Sequence, residues 1–183
     1  MNDLYKIIHI PNLEEVAVEC YKVIHEAGIP IINDLYTLDK DLDDRFRYLP
    51  TLKKTMIELG LYDVWFRSAV VVTYDDLPIH TDSADDFCFS FNIPIKNTKN
   101  TYTVFYETLD DPKIMSTLDG YTYGYIKYDP KTVKVLDKLE MINAAIINTQ
   151  VAHNVVHQSI DLPRINLLLR LSPSFKIDDY SFN

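Results

Sequence analysis

The sequence predicts an α+β domain in which a helical N-terminal third supports a β sandwich or small barrel. Three observations carry this prediction. Apolar residues recur at intervals of three and four up to residue 60, β-branched and aromatic residues take over from Val64, and turn residues punctuate the short runs that follow. With 183 residues, 47% of them hydrophobic, the chain is long enough to bury a core of its own. It reads as one domain, 1–183, with 1–63 mainly helical and 64–173 forming the β core.

The first helix is expected where Leu13, Val16, Ala17, Cys20, Val23 and Ile24 form an apolar stripe, with Asn12 as its cap, Glu15 three residues on, and Gly28 and Pro30 as a stop. A second begins at Leu49-Pro50-Thr51, presents Leu52, Met56, Ile57 and Leu59, and ends at Gly60. Asp39 to Asp44, between them, reads as an acidic solvated stretch. Strands are expected at Arg67 to Tyr74, Phe87 to Ile95, Tyr102 to Thr108, Gly120 to Tyr128, Ala144 to Asn148 and Arg164 to Leu171. In the second of these, Phe87, Phe89, Phe91, Ile93 and Ile95 alternate with Cys88, Ser90, Asn92 and Pro94, the period of a strand with two unlike faces. Lys96-Asn97-Thr98-Lys99-Asn100 then reads as a hairpin turn.

The formal net charge of −9 and a pI near 4.9 argue against tracking a nucleic-acid backbone or an anionic membrane surface. No apolar run reaches the roughly 18 residues that span a bilayer. Met1-Asn2-Asp3-Leu4 lacks the basic-then-apolar order of a signal peptide, so a cytoplasmic protein is expected. Cys20 and Cys88, the two cysteines, suit neither a zinc knuckle nor a redox pair and are expected to be reduced, buried thiols.

Two of the five histidines stand in company that a metal needs. His80 and Asp82 flank Thr81, so on an extended segment both project to one side. His153 follows after several predicted strands. Two imidazoles and one carboxylate on one face of a cation make the facial triad of non-haem Fe(II) oxygenases, which leaves positions open for a co-substrate and dioxygen. An HxD alone is weak, since a His and an Asp often sit two apart by chance. Arg164 strengthens the reading, because it lies eleven residues after His153, room for a strand, a turn at Asp161-Leu162-Pro163 and a return strand. A guanidinium beside the metal can pair with the far carboxylate of a chelating dicarboxylate.

The succession Ile79-His80-Thr81-Asp82, Phe91-Asn92-Ile93-Pro94-Ile95, Asn148-Thr149 with His153-Asn154-Val155, and Pro163-Arg164-Ile165-Asn166-Leu167 resembles the Fe(II)/2-oxoglutarate-dependent dioxygenases, in particular their small hydroxylase-like members. The resemblance covers roughly Val64 to Ser172 and implies a double-stranded β-helix, or jelly roll, with supporting N-terminal helices. Carried over, it makes His80, Asp82 and His153 the catalytic iron ligands and Arg164 the anchor of the 2-oxoglutarate C5 carboxylate. The implied reaction hydroxylates an unactivated C–H bond of a small-molecule or peptide substrate and releases succinate and CO₂. Many members have a glycine before the strand leading to the second His, where Met141-Ile142-Asn143-Ala144 stands here; Asn143 can take a left-handed conformation in its place.

Several alternatives stay open in the sequence. Arg170, in Arg170-Leu171-Ser172, shares the Arg164 face and competes for the anchoring role, and His157 competes with His153 as a ligand. Tyr74, Asn92 and Thr103 are candidates to touch the co-substrate, each with packing as the ordinary role. His9 and His25 read as histidines without chemistry. Tyr121, Tyr123 and Tyr125 form a stripe that either covers the sheet or serves as a substrate-facing lid. A jelly-roll binding module, or a cupin-like metalloprotein without 2-oxoglutarate turnover, is the competing function.

Overall fold

In the computed structural model, residues 4–32, 34–82, 88–109, 113–115, 125–158 and 161–179 are described. The elements run β1 (Tyr5–Ile8), α1 (Leu13–Glu26), β2 (Asp34–Thr37), α2 (Lys40–Arg47), α3 (Pro50–Glu58), β3 (Trp65–Thr73), β4 (His80–Asp82), β5 (Phe89–Lys96) and β6 (Thr101–Thr108). Next come β7 (Lys113–Met115), β8 (Tyr125–Lys127), β9 (Val133–Glu140), β10 (Ala144–Asn148), β11 (Ala152–His157) and β12 (Arg164–Leu171). The expected strand at Gly120 to Tyr128 is represented by β8. Tyr121 and Tyr123 lie outside the described residues.

Among the described residues the strands form two six-stranded antiparallel sheets, ordered β1-β10-β5-β12-β3-β2 and β7-β8-β4-β11-β6-β9. From β3 to β6, and again from β9 to β12, each successive strand passes to the opposite sheet. Spatial neighbours are therefore far apart in sequence: β3 lies beside β12 and β4 beside β11. The turn after Lys96 consequently joins strands of different sheets, which corrects the expected hairpin. Its chain reversal uses left-handed Asn97 and Asn100, at φ 54° and 56°, where a short polar side chain tolerates positive φ. Asn143 is not among the described positive-φ residues, so the expected left-handed substitute for glycine is not used there.

Alternation sorts the two faces of the first sheet. Val70, Val72, Phe91, Ile93, Ile146, Ile165, Leu167 and Leu169 turn to the helices, where Val16, Cys20, Ile24, Phe46, Leu52 and Met56 meet them in the main core. Trimming a side chain here leaves a cavity that the close-packed surroundings fill only in part. Leu167→Ala should therefore lower the unfolding free energy by about 2–5 kcal/mol in chemical denaturation. The opposite face carries Thr73, Ser90, Asn92, Arg164, Asn166 and Arg170, an unusually polar lining for the space between two sheets. Phe105, Leu139, Met141, Ala145 and Ile147 fill another part of that space with apolar side chains.

Two expectations about the helical third are corrected. The stretch Asp39 to Asp44 lies mostly within α2, with Asp39 capping it by accepting from the Leu42 N–H at 2.9 Å. Asp43 is buried: it accepts from the Ser68 N–H at 2.7 Å and from Arg47 Nε at 2.8 Å, tying α2 to β3. Asn12, expected to cap α1 through its side chain, makes no such bond and accepts from the Thr55 hydroxyl at 3.4 Å. Cys20 is buried as expected, whereas Cys88 is exposed. No helix among the described residues is long and apolar enough to cross a membrane.

Candidate metal centre

Strand β4 is only three residues long, and its position is fixed from outside. Leu77 N–H donates to Val155 O at 2.9 Å on one side of it, and Asp82 N–H donates to Thr149 O at 3.0 Å on the other. Within it the period of two buries Thr81 on one face and turns His80 and Asp82 to the other. The β4–β11 register sets His153 directly opposite His80, with ring centroids 4.6 Å apart. The three side chains can each offer one ligand atom, all within 4.8 Å of one another.

Both imidazoles are oriented the same way. His80 Nδ1–H donates to Pro78 O at 2.7 Å and His153 Nδ1–H to Val151 O at 2.8 Å. A carbonyl only accepts, so each Nδ1 carries the proton and each Nε2 is left with its lone pair. Backbone bonds of this kind fix tautomer and ring direction in histidines that ligate metals. His80 Nε2 lies 3.5 Å from Asp82 Oδ1, and the other Asp82 oxygen accepts from Arg170 Nη2 at 2.7 Å.

The electrostatics follow from burial and these contacts. Burial disfavours the charged form of His80, but the bond and attraction to Asp82 and the Pro78 carbonyl outweigh it, and its pKa is raised. For His153, burial and then the His80 charge push the pKa down to about 4. Asp82 is desolvated too, yet Arg170, followed by the two imidazoles, holds its carboxyl far below the usual range. At about pH 6, below the ordinary imidazole value, a metal must therefore displace a proton from His80 but not from His153. Metal affinity should fall as pH drops through the raised His80 value, since the metal-free site binds the extra proton there. Calorimetric titration of Mn(II) in buffers of different ionisation enthalpy should show proton release at about pH 6, below the ordinary imidazole value, and progressively less as the pH rises.

Arg164 is placed differently from the sequence expectation. The guanidinium beside the triad is that of Arg170; Arg164 lies six residues back on the same inner face of β12. It is 2% exposed, its Nε has no hydrogen-bond partner among the described residues, and burial pushes its pKa down to about 10. With the Asn166 amide oriented oxygen-inward, Nη2 donates to it at 2.8 Å. Among the described residues, no carboxylate forms an ion pair with it.

The other candidates separate by face. Asn92 lines the inter-sheet space and donates to Ser90 Oγ at 2.8 Å. Thr103 is buried on β6 opposite Val155, two residues from Phe105, whose ring centroid lies 6.3 Å from that of His153. Tyr74 is a correction: it packs against the helical core and donates to Ile31 O at 2.9 Å, because Thr73, its neighbour, takes the inward position. His157 is not in the triad; its Nε2 lies 2.9 Å from Thr73 Oγ1. His9 and His25 are exposed. Thr73 was missed by sequence reasoning, although the period of two starting from Arg67 would have turned it inward.

No family model matches the sequence, and no curated protein matches it. Solved structures do. The non-haem α-ketoglutarate-dependent epimerase SnoN from nogalamycin biosynthesis is similar at TM-score 0.53 and 14% identity, covering 93% of this chain and 79% of its own. The α-ketoglutarate-dependent carbocyclase SnoK from the same biosynthesis gives 0.52 at 10% identity over 93% and 81%. EvdO2 from Micromonospora carbonacea var. aurantiaca, solved with 2-oxoglutarate, gives 0.53 at 10% identity over 96% and 91%. At these identities what is shared is the fold.

Proposed function

We propose that this chain is a non-haem Fe(II)- and 2-oxoglutarate-dependent oxygenase on a double-stranded β-helix. The single observation that carries the reading is Arg164: a buried guanidinium without a carboxylate partner among the described residues, on the inner face of the sheet opposite the triad. A buried unpaired cation is costly unless an anion completes the site. A dicarboxylate reaching from the triad to Arg164 supplies that anion. The alternating passage of the chain between sheets supports the jelly-roll assignment, and the epimerase SnoN has been solved with Fe³⁺ and α-ketoglutarate.

His80, Asp82 and His153 would hold the iron, with Nε2 lone pairs already aimed and Asp82 fixed through Arg170. Arg164 would hold the distal carboxylate, and Asn92 and Thr103 line the space between. The chemistry supplied by iron and co-substrate is oxidative: 2-oxoglutarate is decarboxylated to succinate and CO₂ as dioxygen is reduced, and one oxygen atom enters a substrate C–H bond. The chain's own contribution is orientation of the donors, a buried cationic end and exclusion of water. Hydroxylation of a small molecule or peptide is our reading of the outcome.

The test is incubation of the iron-loaded protein with 2-oxoglutarate and oxygen. Slow succinate formation that requires both is expected even without the substrate, and its absence from protein shown to retain iron would count against the assignment.

A further inference from the structure

Solvent reaches the two ends of the inner face of β12 unequally. Arg164 is buried at one end, whereas at the other the side chains of His80, Asp82 and Arg170 keep 16%, 16% and 22% of their surface exposed. Among the described residues, a molecule from solution thus meets the triad at the Arg170 end. The β3–β12 register sets Arg67 directly across from Arg170, on the same face. Like charges directly opposite in a sheet are destabilising, so stability does not account for the pair. Trp65 pairs with Leu171 and Arg67 with Arg170, so β3 carries one residue more than β12 here, and that residue is Phe66. Bulges of this kind re-aim side chains beside active sites. Phe66 is exposed, and the half-buried Arg67 lies over its ring, 5.9 Å from the centroid. Helix α2 braces the bulge from behind. Arg47 Nη2 donates to Phe66 O at 2.7 Å and its guanidinium stacks on Trp65 at 4.6 Å, while Asp43, the partner of Arg47, accepts from the Ser68 N–H. The main chain on both sides of Arg67 is fixed.

An exposed aromatic ring beside a cation, at the open end of a metal site, complements a molecule with a flat apolar body and an acidic group. We propose that Phe66 and Arg67 form the subsite for the substrate to be oxidised, Arg67 pairing with its anionic group and Phe66 packing against its apolar body. Arg170 does not compete for that anion, because it is held by Asp82. In a chain of net charge −9, a pair of guanidinium groups at the mouth of the site also gives an anionic substrate a local field to follow. The inference rests on the reading of the triad and Arg164 as the metal and co-substrate site, and narrows the substrate from any small molecule or peptide to an acid with an apolar, planar part.

Proton NMR of benzoate and of its uncharged counterpart benzamide, in the presence of the full chain loaded with Mn(II) and saturating 2-oxoglutarate, tests this, since Mn(II) broadens the lines of a molecule held near it. The wild type should broaden benzoate and affect benzamide far less. Arg67→Gln should reduce the benzoate broadening roughly tenfold, the scale of one hydrogen bond to a charged group. Arg67→Lys, which keeps the charge, should retain part of it, and Phe66→Ala should lose part of it. Calorimetric titration of 2-oxoglutarate into the Mn(II)-loaded Arg67→Gln chain should give the wild-type affinity, because Arg164 is the anchor there. No broadening of benzoate by the wild type, equal broadening of benzamide, or undiminished broadening by Arg67→Gln would overturn the proposal, as would a loss of 2-oxoglutarate binding in Arg67→Gln, which would mark a structural role. A wild-type chain that binds Mn(II) but not 2-oxoglutarate would overturn it together with the functional reading beneath it.

Discussion

Arg164→Leu is expected to cost the protein nearly all affinity for 2-oxoglutarate while leaving the ligand-free fold as stable as before or more so. The two effects have opposite signs for one reason. In the ligand-free protein the buried guanidinium is a desolvated cation with no carboxylate partner among the described residues, and replacing such a group by an apolar side chain is neutral or stabilising by about 1–4 kcal/mol. In the proposed complex the same cation would face the distal carboxylate, and removing one partner of a buried charge pair costs about 2–5 kcal/mol, roughly 30-fold to several thousand-fold in affinity. Denaturation midpoints and 2-oxoglutarate titrations on one preparation check both halves. A leucine variant that was destabilised and bound 2-oxoglutarate normally would mark Arg164 as a structural residue.

His153→Ala should remove metal binding outright. Altering a group that merely orients a ligand lowers metal affinity about 10–100-fold, and deleting one of three ligands exceeds that. His153 is also the imidazole kept neutral by its surroundings, so it is ready to bind without losing a proton. Equilibrium dialysis against Fe(II) under anaerobic conditions measures the loss. His157→Ala serves as the control, since His157 bonds to Thr73 and should leave iron stoichiometry intact. Loss of iron from His157→Ala with retention in His153→Ala would exchange the two roles.

How far the sequence could be read depended on local periodicity. α1, α3, β5 and β12 were legible because each carries its own apolar pattern against the common core. The edge strands β1 and β2, at four residues each, and β4, at three, are too short for a period to emerge. β9 mixes exposed Val135 and Leu136 with charges and has no clear inner face in sequence. Turn chemistry after Lys96 announced a chain reversal but not whether the next strand stays in the same sheet, and here it does not. A crossing of the same kind separates β11 from β12, so a spacing of eleven residues does not by itself set Arg164 beside His153.

Within the site, His80, Asp82 and His153 were legible as a constellation, and the register of β4 with β11 brings them together. Arg164 and Arg170 share a face, so spacing alone could not say which one meets Asp82. The answer depends on which end of β12 lies over β4, a tertiary fact. Tyr74 was misplaced by one residue of strand phase, enough to reverse its face. His157 and Thr73 escaped notice as partners because they lie 84 residues apart and on different sheets.

The central claim is that the triad and Arg164 act on one molecule that spans them. Adding 2-oxoglutarate to the Fe(II)-loaded protein in the absence of oxygen tests it directly, because chelation by the 2-oxo acid gives a visible metal-to-ligand charge-transfer band. The band should appear and saturate with one 2-oxoglutarate per iron in the wild type, and require far higher concentrations in Arg164→Leu. A wild-type protein with full iron and no band would contradict the account.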